Sequence, residues 1–221
     1  MNKLPGLGLL VPLMALAQTA GTIQAGGTAT LYANPDQAYI SIGVVTDGST
    51  AQDAAQRNAT QATAVLNALK QVLGNAGTIQ TVSYSVNPRY SSTPGQAAVI
   101  VGYTASNTLQ VTTLDLSLIG NLIDTANQAG ANSVGGLQFS LRDPEPLKQQ
   151  VLGQAAKQAR AHADAIAAGL GAKTGAVVSA QEGGSVSPVV IAGTAGAAPT
   201  PIQTGQVSVS ASVTITVQLA Q

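Results

Sequence analysis

Between Ile100 and Leu141 a long alternating stretch, a short helical stretch and a second strand-like stretch follow one another without a linker. Any fold for this chain has to cover them. From Val101 the odd positions Val101, Tyr103, Ala105, Leu109 and Val111 are apolar. The even positions Gly102, Thr104, Ser106, Thr108 and Gln110 are small or polar, so a strand here has one dry face and one wet face. Only Asn107 interrupts the pattern. Asp115 then offers a helix cap, and Leu116, Ile119, Leu122 or Ile123, and Ala126 recur at helical spacing until Gly130. The spacing predicts a strand again over Val134–Leu141.

The flanking segments read the same way. Strands are expected at Thr28–Tyr32, after a Gly/Thr/Gln linker, and at Ala38–Thr46, with Asn34-Pro35-Asp36 as the turn between them. Thr50 and Asp53 form a capping box for a helix running to about Leu73. Its stripe includes Asn58, Ala62, Val65, Leu66, Leu69, Val72 and Leu73, and Gly74 and Gly77 close it. Ile79–Tyr90 is a strand with Val82, Tyr84 and Val86 on one face, ended by Pro88, and Ser91–Gly95 is a polar loop.

A long helix starts at Asp143-Pro144-Glu145-Pro146 and carries the stripe Leu147, Val151, Ala155, Ala159, Ala163, Ile166 and Leu170. A short strand follows at Val177–Gln181. The chain closes on its clearest alternation, Val207 to Leu219 against Ser208 to Gln218. The order β-β-α-β-β-α-β-α-β-β argues for an α+β fold, two lobes of mostly antiparallel sheet with helices packed on one face. The final strand matches the organising strand in length. Lobe one is therefore expected to hold 26–113 and 206–219, and lobe two 115–182, with 183–205 a flexible loop.

Composition sets the compartment. With 45% hydrophobic residues the chain can build a core, but only 8% of it is charged, against about 25% in an average protein. Nine basic residues balance nine acidic ones, and no basic cluster exists to neutralise phosphates, so nucleic acid is not an expected partner. The first residues combine Lys3, an apolar run from Leu4 to Ala17, and Ala15-Leu16-Ala17 as a cleavage site. This reads as a secretory signal peptide over 1–17, followed by a linker over 18–25. The run is short for a membrane span, so no transmembrane anchor is expected in the mature form. The absence of cysteine removes disulfides, thiolate metal sites and thiol nucleophiles.

Every candidate for chemistry has a simpler structural reading. His162 is the single histidine, on a helix between Arg160 and Asp164, and an Asp two residues away faces elsewhere. One imidazole without further ligands does not make a zinc site. Ala131-Asn132-Ser133-Val134-Gly135 lacks the first glycine of a nucleophile elbow and reads as a turn. Gly169 to Gly175, containing Lys173, follows a helix C-terminus and reads as a helix cap, not a phosphate loop. Asp143 and Glu145 serve a helix start; Tyr84, Tyr90 and Tyr103 read as core or interface residues. Asp36, Asp124 and Arg142 are the remaining groups that could form an interior ionisable cluster. No catalytic, cofactor-binding or metal-binding residue is therefore assigned, and no cofactor is expected.

Several of these landmarks occur together in an order that resembles the SIMPL-domain family. They are Gly27-Thr28-Ala29, Pro35-Asp36, Ile79-Gln80-Thr81, Tyr84-Ser85-Val86-Asn87-Pro88 and Val101 to Asn107. Ile119-Gly120-Asn121-Leu122-Ile123-Asp124, Gly130-Ala131, the Phe139 strand, the Ala155–Ala168 helix and Thr200-Pro201-Ile202 continue the match. The resemblance covers about Gly26 to Leu219. It implies a bacterial periplasmic or envelope-associated α+β protein of two lobes, with relatives that assemble into ring- or channel-like oligomers and some that are stress-linked or immunogenic. This chain is poorer in charge along its long helix than such relatives. The expectation is an exported, non-enzymatic protein acting by self-assembly as a homo-oligomer or by binding an envelope protein. The alternative is a periplasmic small-molecule binder or a hydrolase with an unrecognised site.

Overall fold

In the computed structural model, which describes residues 21–91, 97–183, 202 and 204–220, the alternating segments form strands and the periodic ones helices. In chain order they are β1 (Thr22–Ala33), β2 (Gln37–Gly48), α1 (Ala51–Leu73), β3 (Gly77–Ser91) and β4 (Val99–Thr113). A 3-10 turn at Leu116–Leu118 leads into α2 (Ile119–Gln128), then β5 (Ser133–Ser140), α3 (Glu145–Gly169), β6 (Lys173–Gly183) and β7 (Val207–Ala220). The expected signal peptide, the loop after Ser91 and most of the 183–205 segment lie outside the described residues.

Local chemistry sets the element ends. Thr50 caps α1 by accepting the Asp53 N–H (3.1 Å), and Gly74 ends it at φ 51°. Asp143 caps α3 by accepting the Glu145 N–H (3.1 Å). At the other end of α3, Ala172 N–H reaches Ala167 O (2.9 Å) and Gly171 N–H reaches Ala168 O (3.0 Å), with Gly171 at φ 71°. This is the Schellman arrangement. The stop is therefore made by Gly171, and Lys173, expected in the cap, is the first residue of β6.

The strands form two antiparallel sheets, one ordered β3-β4-β2-β5 and one ordered β1-β7-β6, and the fold is α+β as expected. Two expectations about topology are corrected. β7, expected back in lobe one, pairs with β1 of that lobe but also with β6 of lobe two, and it stands outside the β3-β4-β2-β5 sheet. β5, expected in a second lobe, pairs with β2 (Ala38 opposite Phe139), and Ile119, Leu122 and Phe139 enter the same core as α1. Alternation showed that β7 needed a cover on one face, but two sheets of similar apolar pattern compete for such a strand, and local sequence does not choose between them.

The expected linker over 18–25 is also revised, because β1 already starts at Thr22, with Ile23 and Ala25 buried. Pro88 does not end β3, which is an edge strand where a proline's missing donor is tolerated. Gly77 does not close α1 but opens β3, where a side chain would meet Thr112 O at 1.8 Å.

The chain divides into two compact units. One contains 29–154 together with 202 and 204–211. Here Ile40, Ile42 and Val44 of β2, Leu109 and Val111 of β4, and Val65, Leu69 and Leu73 of α1 are buried together. Fully burying each such side chain contributes about 1.5–3 kcal/mol. Asn58 is a fully buried polar residue in this layer, donating to Val44 O (2.8 Å) and Ala105 O (3.1 Å). A smaller cluster in the same unit joins Val151 with Val209 and Ala211.

The other unit contains 21–28, 155–183 and 212–220. Ala155, Ala159, Ala163 and Ala167 of α3 are buried there, as are Val213, Ile215 and Val217 of β7. The α3 stripe thus continues to Ala167, whereas Ile166 and Leu170, expected on it, are 44% and 67% exposed. Three steps of four residues keep alanine against the sheet, and alanine allows a closer approach than isoleucine would.

Candidate functional site

The organising strand β4 is covered only along part of its length. Ala105, Leu109 and Val111 are buried, but Val99 and Val101 are 62% and 57% exposed. The register explains this. β2 ends where Gly48 faces Tyr103, while β3 and β4 continue as a two-stranded ribbon through the pairs Tyr90–Ile100 and Ser91–Val99. A strand pair without a third neighbour or a helix leaves its apolar side chains in water.

The ribbon and the adjoining part of β3 expose Val82, Tyr84, Tyr90, Val99, Ile100 and Val101. Tyr84, which pairs with Asn107, and Tyr103, which faces Pro88, stand at separate steps of the β3–β4 register, and Tyr84 and Tyr90 are on the surface. Tyr84 and Tyr90 therefore belong to an exposed surface and not to the core, while Tyr103 is half-buried. A β-bulge at Val82 shifts that residue out of the alternation shared by Tyr84 and Val86. One charged contact anchors the ribbon. Asp47 of β2 accepts from Arg89 Nη1 (2.6 Å) and from Thr104 Oγ1 (2.6 Å), so both carboxylate oxygens are held.

The second unit holds the histidine. The carbonyl of Gly26 can only accept a hydrogen bond, so the contact from His162 Nδ1 (2.7 Å) places a proton on Nδ1. One helical turn earlier, Gln158 Oε1 accepts the Thr28 N–H (2.6 Å). These residues border a depression of about 230 Å³ together with the Ser212–Thr214 stretch of β7. Arg160 donates to Asp164 Oδ1 (3.1 Å), to Thr174 Oγ1 (2.7 Å) and to Gly175 O (3.2 Å), and Thr174 Oγ1 donates to the same Asp164 oxygen. His162, Arg160 and Asp164 are thus all committed to backbone or side-chain partners of neighbouring strands, and Asp164 is not joined to the imidazole.

The remaining candidates fall apart spatially or prove structural. Asp36 and Arg142 are both exposed, and their contact is from the Arg142 backbone N–H to Asp36 Oδ1 (2.7 Å), so they do not form an interior ionisable cluster with Asp124 of α2. In the expected turn at 131–135, Asn132 does more than turn the chain. Its carboxamide pairs with both backbone groups of Val45 (2.8 and 2.6 Å), as a strand residue would. Nothing in the sequence distinguished Asn132 or Gln158 from other exposed amides. Their roles depend on strands 87 and 130 residues away.

The chain is an α+β protein of two antiparallel sheets. The family model, described as "Protein of unknown function (DUF541)", matches residues 23–217, and the chain belongs to that family. Among curated relatives it is similar to the 26 kDa periplasmic immunogenic protein of Brucella melitensis, with 27% identity over 153 residues, 66% of this chain and 61% of that protein. It is also similar to the uncharacterized protein YggE of Escherichia coli K12, with 28% identity over 186 residues, 80% of this chain and 74% of that protein. The YggE of Edwardsiella ictaluri is 24% identical over 181 residues, 77% of this chain and 76% of the relative. The match spans 61% of the length of the Brucella protein. Among the described residues no helix is long and apolar enough to cross a membrane. The Brucella relative is periplasmic by its name, and the N-terminal sequence of this chain leads to the same expectation.

Proposed function

We propose that this chain is a non-enzymatic interaction protein of the cell envelope, and that it works by self-assembly through the β3–β4 ribbon. The observation that carries this reading is the exposure of Tyr90 and Ile100, paired across the ribbon, and of Val99 and Val101 beside them, beyond the end of β2. A surface of aromatic and β-branched residues with few charges is what a protein contact uses at its centre. The engagement of His162, Arg160 and Asp164 in strand contacts also fits a protein that works by binding.

The test is light scattering of size-fractionated protein across a concentration series, for the wild type and for Tyr90→Ser/Ile100→Ser. A large species in the wild type that dissociates in the variant supports the ribbon as the contact. A wild-type monomer at all concentrations overturns self-assembly. A large species unaffected by the variant overturns the ribbon's part in it.

A further inference from the structure

β1 presents an open edge of the three-stranded sheet, since β7 is its only strand neighbour among the described residues. Such an edge carries a row of unpaired N–H and C=O groups that a strand of another chain can add to. Proteins usually discourage this with charges, prolines or bulges on the edge strand. β1 reads TIQAGGTATLYA, without a charged residue or a proline.

The register shows which groups lie on that edge. In an antiparallel strand the N–H and C=O of one residue point the same way, and successive residues alternate. Gly21 O accepts the Leu219 N–H (2.8 Å), so the odd residues of β1 face β7 and the even residues, among them Gly26 and Thr28, face outward. The Thr30–Ser210 contact (2.8 Å) keeps the same register further along the strand.

Gly26 O and Thr28 N–H are the two groups that α3 occupies, through His162 Nδ1–H and Gln158 Oε1. Both residues sit on one side of the helix at i, i+4 spacing. They reach the edge because α3 lies unusually low. A Cβ on Gly27 would be 2.2 Å from Ala155 O and 2.4 Å from Ala159 N. A donor at position 162 and an acceptor at position 158 thus copy what one residue of a parallel added strand would offer.

We infer that Gln158 and His162 close the outer edge of β1 against strand addition, and that the surface they cover fits the β1 strand of a second copy of this chain. The fit follows from chemistry, because an uncharged twelve-residue strand meets an identical one without charge repulsion.

The experiment is done in the Tyr90→Ser/Ile100→Ser background, which separates this contact from association through the ribbon. Amide exchange at Thr28 and mass by light scattering are compared for the parent, Gln158→Ala, Gln158→Glu, His162→Ala and Gln158→Ala/His162→Ala. In Gln158→Ala the Thr28 amide should exchange about fivefold faster or more, the loss of one hydrogen bond. Gln158→Glu, which keeps an acceptor oxygen, should restore protection. Gln158→Ala/His162→Ala should associate, with β1 amides newly protected at high concentration. Unchanged Thr28 exchange in Gln158→Ala overturns the inference, as does a folded double variant that keeps the parent mass at every concentration. Should the double variant not fold, His162→Ala and Gln158→Ala individually are read by the same two measurements, with the same outcomes deciding.

Discussion

Gly26 and Gly27 are neighbours in one strand, yet adding a methyl group should have opposite effects at the two positions. At Gly27 the new Cβ would stand 2.2 Å from Ala155 O and 2.4 Å from Ala159 N, both backbone atoms of α3. Ordinary contact would require the helix to lift by on the order of 1 Å, a gap that forfeits a quarter to a half of each dispersion contact beneath it. The alanines at 155, 159, 163 and 167 are all buried under that helix and cannot rotate away. Overpacking of this kind costs about 1–3 kcal/mol. It outweighs the roughly 0.4–1 kcal/mol gained when alanine restricts the unfolded chain.

At Gly26 an added Cβ meets nothing within 4 Å, so only that gain remains. For a chain of this size 1 kcal/mol corresponds to about 2–4 °C in Tm. Gly27→Ala should therefore lower Tm by about 2–10 °C, and Gly26→Ala should raise it by about 1–4 °C. Urea unfolding followed by circular dichroism, alongside thermal melts, reads both. Equal shifts for the two variants, or an unchanged Gly27→Ala, would refute the close approach of α3 to β1.

Asn58→Asp should destabilise the protein by about 3 kcal/mol or more in urea unfolding at neutral pH. It exchanges a fully buried donor bonded to Val44 O and Ala105 O for a carboxylate facing the same carbonyls. Asp53 gives a pH dependence of known sign. Its hydrogen bond from Arg57 holds its carboxyl below the usual carboxylate range. That contribution is present above the unfolded-state value and is lost as pH falls through the lowered folded-state value. An NMR titration should show the Asp53 midpoint rising toward the ordinary value in Arg57→Met, and an unmoved midpoint would contradict the assignment.

How much of the molecule was legible in the sequence can be followed residue by residue. The Thr50 cap, the Asp143 cap, the α1 stripe with Asn58 and the alternation of β7 were all readable. Each depends on neighbours within a few positions, where helix and strand periods are fixed by backbone geometry. The family was readable as well, because weak landmarks kept their order along nearly the whole chain.

The tertiary structure decided the rest. Val99, Ile100 and Val101 continue the apolar run of β4 but end in water, because β2 stops at Gly48. Ala167 is buried in place of Ile166, because α3 approaches β1 closely over Gly27. His162 stays exposed on its helix, but only the tertiary structure brings Gly26, 136 positions earlier, within hydrogen-bond distance of it. An apolar face determines that it must be covered, and an edge that it must be paired or closed. Which element does so is a competition among distant segments of similar pattern, settled only when the whole chain packs at once.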